Sequence, residues 1–236
     1  MKRIVHFDRL PVGGPPMVVG AISSARTLSR NDLVQTLKLD IAEFRLDLTG
    51  LLPGWEERAG ELRDAGTPVL LTLRCAREGG RWHGDETDRM IAYLNALPHV
   101  SAVDVEIQSE LAATVAHAAR DAGKPVVLSY HDFAGMPSPD DFHRIMDSGY
   151  SLGADIVKIA AMTGTRADVD TMSALLREPG EKLLCLVGMG ELGPTSRVEL
   201  ALAGSCLAYG FADETNAPGQ ISSRELVNRL RAANAR

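Results

Sequence analysis

The chain has 236 residues, 45% of them hydrophobic, enough apolar material for one large core. A formal net charge of −6 with acids and bases interspersed argues against a general nucleic-acid or membrane surface, yet leaves room for a local cationic pocket. No apolar run approaches the ~20 residues of a membrane span, and Met1-Lys2-Arg3 leads into mixed polar sequence, so neither a span nor a signal peptide is expected.

The three cysteines, Cys75, Cys185 and Cys206, are odd in number, form no CxxC pair and lie in or beside apolar segments. They read as reduced packing residues of a cytoplasmic protein. Apolar, β-branched runs predict strands at 17–23, 41–48, 68–74, 102–107, 125–132, 156–161, 183–189 and 207–212. Stretches with helical spacing separate them, such as Leu111, Val115 and Ala118, or Leu226, Leu230 and Ala233. Eight strand–helix units without a long polar linker imply parallel pairing through right-handed crossovers. Their natural closure is a (β/α)₈ TIM barrel, a single domain over 1–236. Chemistry in such barrels sits at the C-terminal strand ends, so polar residues there carry the functional reading.

In chain order, the first strand enters after the turn at Pro15-Pro16. The second aligns Glu43, Arg45 and Asp47 on one face by the two-residue period of a strand; a core ion pair is the competing explanation. The third aligns Thr72 and Arg74, and Arg74 opens the loop Arg74-Cys75-Ala76-Arg77-Glu78-Gly79-Gly80. An inward arginine at a strand end suits an oxyanion. The next loop holds His83, Asp85 and Glu86, whose spacing fits no standard metal site. The fourth strand aligns Asp104 and Glu106, and the fifth ends in Ser129 and His131.

The sixth strand carries Lys158 inside Ala154-Asp155-Ile156-Val157-Lys158-Ile159-Ala160-Ala161, one of five lysines in the chain. Burial there should push the amine toward its neutral, nucleophilic form. A structural lysine tied to Asp104 or Glu106 is the alternative. His131 on the adjacent strand is the leading proton-transfer group. After the seventh strand, Gly188-Met189-Gly190-Glu191-Leu192-Gly193 fits GxGxxG, but outside an opening βαβ unit the match is weak. Arg197, near a predicted helix start, opposes the helix dipole, which points to carboxylate binding. A phosphate dianion in these late loops would meet Glu191, Asp213 and Glu214, so a small anionic substrate bearing one carboxylate is favoured. Asn216-Ala217-Pro218-Gly219-Gln220 has turn chemistry, with Gln220 a candidate donor into the mouth.

Taken together these segments resemble the type I 3-dehydroquinate dehydratase family. Glu43-Phe44-Arg45-Leu46-Asp47 is similar to its Glu-aromatic-Arg-x-Asp strand, and Arg74 to Gly80 to its Arg-x-Ala-x-Glu-Gly-Gly loop. Ser129-Tyr130-His131-Asp132-Phe133 resembles its catalytic-histidine segment and Gly153 to Ala160 its imine-lysine segment. Met189 with Gly193-Pro194-Thr195-Ser196-Arg197, and Ala217-Pro218-Gly219-Gln220, resemble its late loops. Two departures stand out: Asn216 and Ala21 occupy positions where the family usually has serine.

The resemblance implies a cofactor-free, metal-free dehydration of 3-dehydroquinate to 3-dehydroshikimate through a Lys158 imine. His131 would be the acid–base and Glu78 the group that orients it. Arg197 and Gln220 would hold the ring carboxylate, with Asn216 a further substrate contact, and Glu43, Arg45 and Arg74 would bind the hydroxyls, under a loop over 211–220. It also implies a homodimer. A class I aldolase, or a dehydratase of a related cyclic hydroxy-keto acid, is the alternative.

Overall fold

Leucine- and valine-rich segments, each delivered by a helix running back along the outside, form the strands, so successive strands enter the sheet in the same direction. The computed structural model describes residues 2–37 and 39–234. The strands are β1 (Val5–Phe7), β2 (Leu10–Val12), β3 (Met17–Ile22), β4 (Ile41–Arg45), β5 (Val69–Thr72), β6 (Ala102–Glu106), β7 (Val126–Asp132), β8 (Ile156–Met162), β9 (Leu183–Met189) and β10 (Leu207–Phe211). Eight of them form one parallel sheet ordered β10-β3-β4-β5-β6-β7-β8-β9, ringed by helices: the expected (β/α)₈ barrel.

Two apolar layers follow from the strand alternation. Outward residues such as Phe44, Leu71, Val105, Leu128 and Ile159 pack against the helices. Inward residues such as Val19, Ile41, Leu70, Val127, Ile156 and Leu207 fill the lower barrel. Above that plug the inward positions turn polar.

The barrel is not laddered all the way round. Between β9 and β10 the Cys206 amide donates to the Leu184 carbonyl (3.0 Å). Ser205 does the rest: its hydroxyl accepts from the Leu186 amide (3.1 Å) and donates to the Leu207 carbonyl (2.8 Å). One buried side chain thus satisfies strand-edge groups that a ladder would otherwise pair.

Two sequence expectations need correction. The second predicted strand, 41–48, stops at Arg45, and Leu46–Thr49 forms a short helical turn. The pairing neighbour β5 ends at Thr72, opposite Arg45, so no ladder remains to extend the strand. Asp47 instead folds back onto Arg45. Ahead of the barrel, β1 and β2 form an antiparallel hairpin that the strand reading omitted. Asp8 turns its tip at a positive φ of 52°, a conformation open to aspartate though costly for most residues. Val5, Phe7 and Val12 cap the lower end of the interior apolar plug. The Asp8 carboxylate pins the hairpin to Arg63 (2.9 Å) and Ser101 (2.5 Å).

Ser205→Ala should strand the Leu186 amide and lower stability by ~1–3 kcal/mol, the cost of an unpaired buried polar group, as read from a urea melt. A loss below the error of the melt would show that the seam does not depend on this hydroxyl.

Candidate active site

Period-two alternation on consecutive strands points a set of charged side chains into the upper barrel. They surround a cavity of about 550 Å³ at the C-terminal strand ends, part of it open to solvent. Glu43, Arg45, Arg74, Glu78, His131, Lys158, Arg197, Asn216 and Gln220 all line it. The nine residues singled out from the sequence therefore meet around one space. Phe133, Ala160, Val187, Met189 and Tyr209 complete its walls. Of these, neither Phe133, Val187 nor Tyr209 was given a role from the sequence, although inward alternation along β9 and β10 was the available signal for Val187 and Tyr209.

At the floor lies Asp104. Its carboxylate accepts from Arg74 (2.7 Å), Ser129 (2.6 Å) and Lys158 Nζ (2.8 Å). Burial would raise its pKa, but Arg74 and Lys158 more than offset that and hold it far below the usual carboxylate range. From the sequence, burial among apolar neighbours is expected to neutralise the amine, with a tie to Asp104 or Glu106 as the alternative. The structure has the Asp104 tie: Lys158 is only 5% exposed and faces that counter-charge, with the Tyr209 ring beneath its ammonium at 4.2 Å. The ion pair does not fill the cavity, and Lys158 still lines it.

Beside the lysine, β7 ends in His131, whose Nδ1 lies 2.8 Å from Glu78 Oε2. Glu78 comes from the short turn after β5, and Phe133 stacks near the imidazole. Burial, reinforced by the positive Arg74 and Lys158, lowers His131 well below its ordinary value, so its ring is uncharged at neutral pH. Burial raises Glu78 to about 7, with Arg74 opposing the rise. When Glu78 is ionised it accepts the Nδ1 proton, which leaves the Nε2 lone pair free to act as a base.

The remaining cations divide into paired and unpaired. Arg45 is bidentate to Asp47 (2.9 and 2.8 Å), and Glu43 accepts from Thr72 (2.8 Å). Arg74 also meets Glu106 at 3.3 Å, and Glu106 is in turn held by Arg89 (2.7 Å) from the helix Glu86–Ala96. Arg197 differs. It stands one turn inside the helix Gly193–Ala203, is 4% exposed, and donates only to the carbonyls of Tyr209 (3.0 Å) and Gly219 (3.3 Å). Among the described residues no carboxylate pairs with it. Burial pulls its guanidinium down to about 10. A desolvated cation without a counter-ion is a site for an anion.

The loop over 211–220 covers this end. Asp213 receives the amides of Ser23 and Ser24, and the Gln220 side chain accepts from the Asn216 amide (3.0 Å). The GxGxxG glycines serve this closure rather than a nucleotide. A Cβ on Gly193 would lie 2.5 Å from the Gly219 carbonyl oxygen, and one on Gly219 (φ +67°) 2.0 Å from that of Gly190. His83, Asp85 and Glu86 do not converge on a shared ligand either. Asp85 caps the helix Glu86–Ala96 through the Asp88 amide, and Glu86 pairs with Arg89.

A model of the type I 3-dehydroquinase family matches residues 18–235. The 3-dehydroquinate dehydratase of Methanosarcina barkeri is 32% identical over 237 residues, covering 94% of this chain and 97% of the relative. That of Enterococcus faecalis is also 32% identical, covering 97% and 96%. Among solved structures, the type I enzyme from Clostridium difficile with covalently modified comenic acid superposes with a TM-score of 0.84. It is 26% identical, with 99% of this chain and 98% of that one covered.

Asp104→Asn leaves Lys158 and Arg74 as buried cations lacking their shared partner. It should cost ~3–5 kcal/mol in a urea melt, the range for breaking a buried pair from one side; a change under ~1 kcal/mol would mean that the network tolerates an amide there.

Proposed function

The chain belongs to the type I 3-dehydroquinase family, and from that premise we propose that it dehydrates 3-dehydroquinate to 3-dehydroshikimate through an imine on Lys158. The observation carrying this reading is the meeting of Lys158, an uncharged His131 and a counter-ion-free Arg197 around one cavity.

The steps balance without a cofactor. Lys158 hands a proton to the His131–Glu78 couple, and its Nζ forms a bond to the C3 carbonyl carbon. The carbonyl π pair moves to oxygen, which takes one proton from the attacking nitrogen and one back from the His131–Glu78 couple and leaves as water, while the freed nitrogen lone pair closes the C=N⁺ bond. This cation is an electron sink for C2. His131 Nε2 removes the C2 proton, the C–H pair forms the enamine, and that pair then expels the C1 hydroxyl, which takes the proton from His131 as water departs. Hydrolysis of the conjugated imine returns the enone product and the free lysine. General acid–base assistance of this kind is worth roughly 10²–10⁴-fold.

Arg197 is the group for the ring carboxylate, with Gln220 and Asn216 beside it. Glu43, Arg45 and Arg74 face the other end, where hydroxyls need donors and acceptors. The single unpaired cation favours a monoanion over the phosphorylated substrates typical of aldolases. Asn216 retains hydrogen-bonding capacity where the family usually has serine, whereas Ala21 contributes none. The proposal extends to a cytoplasmic homodimer. Two buried cysteines that remain thiols fit a reducing compartment, and the dimer rests on the family resemblance.

Lys158→Ala should abolish the growth of enone absorbance from 3-dehydroquinate; substantial turnover in that variant would refute the imine. The pH profile tests the couple. Below about 7 a protonated Glu78 donates to Nδ1, the imidazole proton moves to Nε2, and the base is lost. We therefore expect kcat/KM to fall as pH drops through about 7, and Glu78→Gln, which accepts from Nδ1 at every pH, to erase that limb. An unchanged limb in Glu78→Gln would assign it to another group.

A further inference from the structure

Among the described residues, three buried side-chain polar atoms lack a hydrogen-bond partner: Arg89 Nε, Tyr209 OH and Asn216 Nδ2. Two of these residues, Tyr209 and Asn216, line the same cavity. An unpaired buried hydroxyl is a cost to the free protein, and phenylalanine would fill the same volume without it. Such a group is retained where a ligand satisfies it.

Tyr209 is 5% exposed, and its ring forms the floor on which the Lys158 ammonium rests, 4.2 Å from Nζ to ring centroid. Tyr209 lines the cavity together with Glu43, Arg74 and Lys158. Burial, followed by Glu43, Asp104 and Cys185, holds the phenol well above its ordinary value against the opposing Arg74, so it remains a protonated donor. Asp104 already accepts three donors, and Glu43 is engaged by Thr72. In the free protein neither is bonded to the phenol.

We propose that the Tyr209 hydroxyl is a further substrate-binding group, donating a hydrogen bond to the oxygen on the carbon that Lys158 attacks. That oxygen must lie within one bond of the carbon joined to Nζ, and Nζ sits directly over the tyrosine ring. As the carbonyl π pair moves onto oxygen, the phenol stabilises the developing negative charge. It keeps its own proton, which makes it an oxyanion donor and not an acid. Asn216 Nδ2, the other orphan of the cavity, is left for the opposite, carboxylate end beside Gln220.

This inference rests on the Lys158 imine reading, and the test separates the two. Parent protein and Tyr209→Phe are mixed with 3-dehydroquinate, quenched with borohydride at millisecond intervals, and the reduced adduct is quantified by mass. Thermal melts of both proteins without substrate are recorded alongside. No adduct in the parent overturns the imine reading itself. If the parent forms the adduct, Tyr209→Phe should form it at least tenfold more slowly, with a Tm equal to or above the parent's. The proposal is overturned by Tyr209→Phe trapping at the parent rate. It is equally overturned by a clearly lowered Tm, which would show that the hydroxyl has a structural partner in the free protein.

Discussion

One carboxylate, Asp104, receives Arg74, Ser129 and Lys158 at the point where the barrel interior changes from apolar to polar. Below it lie valine, leucine and isoleucine layers that exclude water. Above it a cationic amine must be kept in place yet remain available. A lone ammonium at that depth would be expelled or neutralised, and a fully enclosed ion pair would be inert. Placing the acid beneath Lys158 and the open cavity above meets both demands. It also explains why Arg74 sits so deep. Arg74, ahead of Lys158, offsets the burial of the acid, and Arg74 is anchored through Glu106 to Arg89 outside the barrel.

Charge pairing then sorts the rest of the site. Arg45 with Asp47, Arg74 with Asp104, and Lys158 with Asp104 are internally compensated. Arg197 is not: among the described residues its partners are carbonyls at the β9–β10 seam and on the covering loop. The seam therefore has two roles. The missing ladder leaves the Tyr209 carbonyl free to orient a guanidinium, and the helix between β9 and β10 brings that guanidinium to the cavity edge. The glycine-to-glycine approach of residues 190, 193 and 219 lets the loop lie close enough to bond Arg197.

Much of this was legible from the chain. Eight strands follow from β-branched runs with turn residues between them, and seven of the eight hold to within two residues of the observed ends at either side. Inward placement of Glu43, Thr72, Asp104, Ser129 and Lys158 follows from period two alone. What escaped was decided by partners distant in sequence. Arg45–Asp47 reads as strand until the end of β5 removes the ladder. The β1–β2 hairpin is too short, and too interrupted by Pro11, to stand out without the barrel end it covers. The sequence narrows the counter-ion of Lys158 to Asp104 or Glu106, but it lies 54 residues away, so only the register of β6, β7 and β8 chooses between them. Tyr209 looks like an ordinary strand aromatic until its hydroxyl proves to have no partner among the described residues.

The most direct measurement is peptide mapping after borohydride reduction of the protein in the presence of 3-dehydroquinate. A stable adduct should appear on the peptide containing Lys158 and on none containing Lys2, Lys38, Lys124 or Lys182. An adduct on one of those lysines, or none while substrate is being consumed, would contradict an imine at the floor of this barrel.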